Sequence, residues 1–106
     1  MELKEFRPLK GNDVFTVSRI LKKMDLSIEV KEGDTQEQVG ARLILSVFEN
    51  LHEAQKEVND FLGSMIGISG KAFGELPLSE YLAYLQKFKE IEGLADFLEH
   101  ARKLTK

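Results

Sequence analysis

His52 and His100 are the only imidazoles in this 106-residue chain, and it has no cysteine. Imidazole suits proton transfer near neutral pH and metal ligation. Neither histidine has a second one a helical turn away, so no H-x-x-x-H pair exists. Glu53 follows His52 and Glu99 precedes His100, but adjacent side chains on a helix point apart. Glu53 and Glu57 do share a helical face, the spacing at which two carboxylates could divide acid and base roles. A solvated helix face is the better account of them. Ser18, Ser27, Ser46, Ser64, Ser69 and Ser79 lie in no nucleophile-elbow context. Asp25, Glu29, Glu32 and Asp34 cluster, but without the ligand spacing and glycine of a calcium loop. Gly63, Gly67, Gly70 and Gly74 lack the preceding strand and G-K-[ST] ending of a phosphate loop. These residues define no catalytic, cofactor or metal site, and neither an enzyme nor a cofactor is expected.

Composition narrows the classes that remain. A hydrophobic share of 42% beside a charged share of 31% is that of a globular chain, not a disordered one. Residues 1–24 carry a net charge of +3, residues 25–66 carry −6, and residues 67–106 balance. A mildly basic head and an acidic middle do not make the concentrated basic face of a nucleic-acid binder. No apolar run approaches a membrane span, and no secretory leader is expected from the polar start. The absence of cysteine fits a reducing compartment. One domain over 1–106 is expected. A domain this small leaves apolar surface uncovered, so a partner or a homo-oligomer would serve it.

The elements that must position any surface are helical. Residues 1–11 form a lead-in, with Pro8 and Gly11 as breaks and Phe6 and Leu9 free to dock. Asn12 or Asp13 can cap a helix over 12–25 whose stripe is Val14, Val17, Ile20, Leu21 and Met24. Arg19, Lys22 and Lys23 lie off that stripe. Residues 26–34 alternate Leu26, Ile28 and Val30 with polar neighbours and read as an extended connection closed at Gly33-Asp34. Asp34 or Thr35 caps a second helix over 35–50, with Glu37 or Gln38 reaching back. Its stripe is Val39, Leu43, Ile44, Val47, Phe48 and Leu51, and Leu45 widens it toward burial on more than one side. A new helix over 51–66 follows, although one long bent helix across 35–66 would keep the stripe nearly in phase. Gly67 suits the left-handed position that closes a helix, and Ser69 caps a single turn through Phe73. Pro77 starts a helix with the stripe Leu78, Tyr81, Leu82, Leu85 and Phe88, which leaves Tyr84 off it and exposed. Gly93 ends that helix, and Leu94, Phe97, Leu98, Ala101 and Leu104 mark a last one over 94–104. The expected class is all-α: about five helices with short connections and one short helical turn.

The run from Asn50 to Leu98 resembles the tail assembly chaperones of long-tailed bacteriophages, of the siphophage type. Members often carry an acid-containing helix ending F-L-A-x-L-x-G, a short S/T-x-x-E-F turn, an L-P-L step, a helix of I/L-x-x-L period, and a closing F-F or F-L. The corresponding segments are EVNDFLGSMIG (57–67), ISGKAFGEL (68–76), LPLSEYLAYLQKFKE (76–90) and ADFLEHA (95–101). FRPLKGNDVFTVSRILKKMDLS (6–27) is similar to heads reading L-x-G-x-D-x-F-x-x-x-x-I. Gly70 and Gly74 depart from the pattern, standing where acidic or polar residues are commoner.

The resemblance implies a chaperone of virion morphogenesis that binds the tape-measure protein and helps recruit tail-tube subunits. It implies the cytoplasm of an infected bacterial host, and absence from the mature virion. Neither nucleic acid nor membrane would be a partner. A helix-in-groove mode suits protein–protein interaction of this kind. The candidate partner-binding residues are Leu62, Met65, Ile66, Phe73, Leu76, Leu78, Tyr81 and Tyr84, around the corner between the third and fourth helices. The alternative is a small helical DNA-binding or regulatory protein using 69–91 as a helix-turn-helix. Lys87, Lys89, Glu80 and Glu90 would then stand on its recognition helix, which is poor base-reading chemistry.

Overall fold

The computed structural model describes residues 3–26 and 30–104. Among them there is no strand, and the chain is an all-α domain of six α-helices. They are α1 (Gly11–Met24), α2 (Gln36–Glu49), α3 (Gln55–Met65), α4 (Gly70–Gly74), α5 (Leu78–Lys89) and α6 (Leu94–Lys103). A 3-10 turn, Leu51–Ala54, separates α2 from α3, so 35–66 is two helices and not one. The break falls at Asn50, whose side-chain amide donates back to the Ser46 carbonyl at 2.7 Å and draws the α2 end closed.

Capping chemistry explains most boundaries. Gly11 opens α1 instead of breaking the chain. Asp13 caps from inside the first turn, accepting the Lys10 amide at 2.7 Å. Thr35 and Gln38 form a reciprocal capping box at the start of α2. Ser69 accepts the Ala72 amide and starts α4. Gly67, at φ +79°, closes α3: the Ile68 amide reaches the Gly63 carbonyl at 2.9 Å, the Gly67 amide the Ser64 carbonyl at 3.4 Å. This is the six-to-one and five-to-two pattern of a Schellman stop.

The molecule is elongated, 44 × 25 × 23 Å. α6 packs along both α1 and α2, and α4 folds back on α3. The α3–α4 corner is tight because glycines line it. A Cβ at Gly70 would stand 2.8 Å from the Asp60 Cα, and one at Gly63 would stand 2.8 Å from the Ile68 and Ser69 carbonyl oxygens. The core runs from Val17, Ile20, Leu21 and Met24 through Leu43 and Val47 to Phe61, Leu62, Met65, Phe73 and Leu98. Burial of such side chains, at roughly 1.5–3 kcal/mol each, outweighs helix propensity in holding the fold.

Four side chains depart from the expected faces. Tyr84 is buried, not exposed, while Leu78 and Leu82 of the expected stripe are 72% and 52% exposed. The inward face of α5 is aromatic: Tyr84 and Phe88 turn in, with Tyr81 half-buried beside them. Leu45 is exposed, so α2 is covered on one side only. The 26–34 connection falls partly outside the described residues. Of its described part, Leu26 packs against the core, Val30 is exposed, and a turn at Gly33 (φ +90°) leads into α2.

Candidate functional site

The residues with chemistry do not converge. Glu57 pairs with Lys23 of α1 at 2.6 Å, while Glu53 turns to His52 at 3.2 Å. The second contact corrects the expectation that sequence neighbours point apart, because residues 51–54 are a 3-10 turn. Lys23 lowers the Glu57 carboxyl below its ordinary value through that hydrogen bond. His100 is exposed on α6, far along the chain from His52. Among the described residues no three His, Cys, Asp or Glu side chains could hold a metal ion, and no helix is long and apolar enough to cross a membrane.

Of the eight candidate partner-binding residues, five lie in the core. Leu62, Met65, Ile66, Phe73 and Tyr84 are each 7% exposed or less. They hold the α3–α4–α5 corner together and offer no surface to a partner. Phe73 is fully enclosed, its ring 5.1 Å from Tyr81 and 5.7 Å from Tyr84. Leu76 and Tyr81 are half-buried, and Leu78 stands in solvent. The Tyr81 hydroxyl donates to Asn59 Oδ1 at 2.7 Å, and burial raises its pKa.

Polar anchoring comes from the lead-in. The Lys4 amide donates to the Tyr84 hydroxyl at 3.0 Å, and Phe6 sits 5.9 Å from the Tyr84 ring and 6.1 Å from Phe88. The Arg7 amide donates to the Met65 carbonyl at 2.9 Å. Its guanidinium grips buried Asp13 with two bonds, 2.8 and 3.0 Å. That pairing lowers the Asp13 carboxyl and raises Arg7. Residues 4–7 thus tie α1, α3 and α5 together. The polar half of this arrangement, Lys4 to Tyr84, carries no periodic signal in the sequence.

One cavity is apolar throughout. A partly open cleft of ≈ 40 Å³, lined only by apolar side chains, lies among α1, α2, α3, α5 and α6. Phe48 and Leu51 line it from the end of α2 and the 51–54 turn, Leu85 from α5. Leu51 also lines a neighbouring depression with Leu76, Leu78 and Tyr81. The two have Leu51 in common, and the depression is also lined by His52, Gln55 and Asn59. Phe48, Leu51 and Leu85 were legible as stripe residues, but nothing in their spacing marked them as surface.

No protein-family model, no curated protein and no solved structure matches the chain.

Proposed function

We propose that this protein is a phage tail assembly chaperone, which binds the tape-measure protein before assembly and helps bring tail-tube subunits to it. The observation that carries the reading is the ordered set of segments at 6–27, 57–67, 68–76, 76–90 and 95–101, which resembles that family over nearly the whole chain. Its support from geometry is narrower. The core leaves Leu78 and Leu82 in solvent and Leu85 at the mouth of an apolar cleft. A chaperone of helical clients needs such a surface, free in one state and covered in another.

The DNA-binding alternative draws little from α5. Its exposed residues are Leu78, Ser79, Leu82, Gln86 and Lys89, with no arginine and one cation, a poor set for reading base edges. Co-expression with the tape-measure protein of a long-tailed phage tests the proposal. Co-purification of the two at moderate salt is the expected result. Failure to co-purify, together with salt-dependent binding to duplex DNA, would replace the chaperone by the regulator.

A further inference from the structure

We infer that Tyr84, Lys87 and Phe88 form a peptide-reading clamp on α5. Residues 3–6 occupy it as a displaceable strap, and a partner's extended segment with the same aliphatic–aromatic spacing takes their place. The clamp stands whether or not the chain is a chaperone.

One helix face supplies all three side chains. Tyr84, Lys87 and Phe88 stand at i, i+3 and i+4, the spacing that makes neighbours on a helix. Tyr84 and Lys87 capture both backbone groups of a single residue. The Lys4 amide donates to the Tyr84 hydroxyl at 3.0 Å, and the Lys87 ammonium donates to the Lys4 carbonyl at 3.2 Å. These contacts read main chain, so the side chain at that place is free to vary; Lys4 itself is exposed. Two places on, the Phe6 ring lies tilted against Tyr84 at 5.9 Å and edge-on to Phe88 at 6.1 Å. Leu3, three places before Phe6, packs against the core. Glu5 is 92% exposed, and its 3.5 Å contact with Lys87 adds little. The seated pattern is therefore an aliphatic residue, two free places and a phenylalanine, in backbone that is neither helix nor strand.

Arg7 is the hinge. Its amide is fixed to the Met65 carbonyl, its guanidinium to Asp13, and Asp13 also holds the Lys10 amide. Ahead of that anchor the hold is lighter. Among the described residues, 3–6 make no backbone–backbone hydrogen bond, and Leu3 and Phe6 are only half-buried. Opening ahead of Arg7 releases the two Lys4 hydrogen bonds and the Phe6 ring contacts, and leaves the start of α1 capped. Nothing in the clamp requires its occupant to be continuous with α1. The strap competes through its tether, at an effective concentration on the order of mM. A partner segment therefore binds the parent more weakly, by the fraction of chains whose strap is open.

The test uses the full chain, labelled with ¹⁵N, and two capped synthetic peptides. One copies residues 3–9, LKEFRPL. The other keeps only the leucine and the phenylalanine at that spacing, among serines. Phe6→Ala should bind the first peptide about tenfold or more tighter than the parent does. The peptide should return the Tyr84, Lys87 and Phe88 amides of that variant toward their parent positions. Lys4→Pro deletes only the donated amide and should open the clamp in the same way, which keeps the test decisive if Phe6→Ala fails to fold. The serine peptide should bind within about tenfold of the first, and its phenylalanine-to-alanine form should not bind. A folded variant that takes up neither peptide would make residues 3–6 fixed core and overturn the inference. Equal binding to parent and variants, or shifts confined to other faces, would also overturn it. Binding of the copied peptide alone would remove the partner, and parent dimers at high concentration would replace it by the strap of a second copy.

Discussion

Gly40 of α2 and Ala95 of α6 mark the closest approach of the two helices. A Cβ built at residue 40 would stand 2.6 Å from the Ala95 Cβ and 2.7 Å from its carbonyl oxygen. The obstruction is partly backbone, so it cannot rotate away. Gly40→Leu should therefore push α2 off α6 and cost about 1–3 kcal/mol or more. Leu45→Ala, on the solvent side of the same helix, should stay within about 0.5 kcal/mol of the parent. Urea unfolding of both variants checks the contrast.

Phe73 and Leu78 divide the α4–α5 corner into structure and surface. Phe73→Ala removes a fully enclosed ring and should cost about 3–5 kcal/mol. Leu78→Ala should leave the unfolding midpoint nearly unchanged, because Leu78 is 72% exposed. If Leu78→Ala destabilised the isolated chain as strongly as Phe73→Ala, the assignment of α5's faces would be wrong.

That assignment is where sequence and structure part. The boundaries of α1, α2 and α6 and the start of α5 were legible to within a residue or so, because caps and stripes agree there, but α5 ends at Lys89, short of the Gly93 expected to stop it. Both α5 faces are apolar, however: Leu78, Leu82 and Leu85 on one, Tyr81, Tyr84 and Phe88 on the other. Periodicity cannot choose between them. The choice is made by rings remote in sequence, Phe6, Phe61 and Phe73, and by the Lys4 amide that satisfies the Tyr84 hydroxyl. For the same reason the candidate site was only partly legible. Leu76, Leu78 and Tyr81 border a surface depression, but Leu51 joins it through a packing that no local pattern encodes.

Asp34 and Arg42 supply a pH prediction. Two hydrogen bonds from Arg42, at 2.6 and 3.1 Å, and one from the Lys31 amide hold the Asp34 carboxyl down to about 2. An unfolded aspartate titrates near 3.9. Asp34 therefore contributes to stability above about pH 4 and loses that contribution as pH falls toward 2. Carbon-detected NMR titration should place its midpoint near the lower value, and Arg42→Met should move it up toward the ordinary one.

Asp13 acts in the same direction, lowered chiefly by the Arg7 hydrogen bonds. Its contribution is likewise present above the ordinary carboxylate range and lost on acidification through the folded value. Asp13→Asn should lower stability at neutral pH and flatten the acid limb of a pH–stability curve. A limb as steep as the parent's would show that other carboxylates carry it.

Tyr84→Phe deletes one acceptor and little else. The expected cost is about 0.5–1.5 kcal/mol. Hydrogen exchange should quicken at the Lys4 amide, which loses its partner, and stay slow at the Arg7 amide, which donates to Met65. Equal acceleration at both would mean that residues 4–7 lift as one piece.

The lead-in also sets an order of events during synthesis. A ribosome delivers residues 4–7 first, yet their partners Tyr84 and Phe88 arrive after eighty or so intervening residues. Closing so long a loop carries an entropy cost that local helices do not bear. α1 can coil while nascent and Arg7 can already grip Asp13, but Lys4 and Phe6 must wait for their partners until α5 has emerged. The clasp of Lys4 and Phe6 on α5 thus closes late, and the α5 rings under Phe6 stay wet until it does.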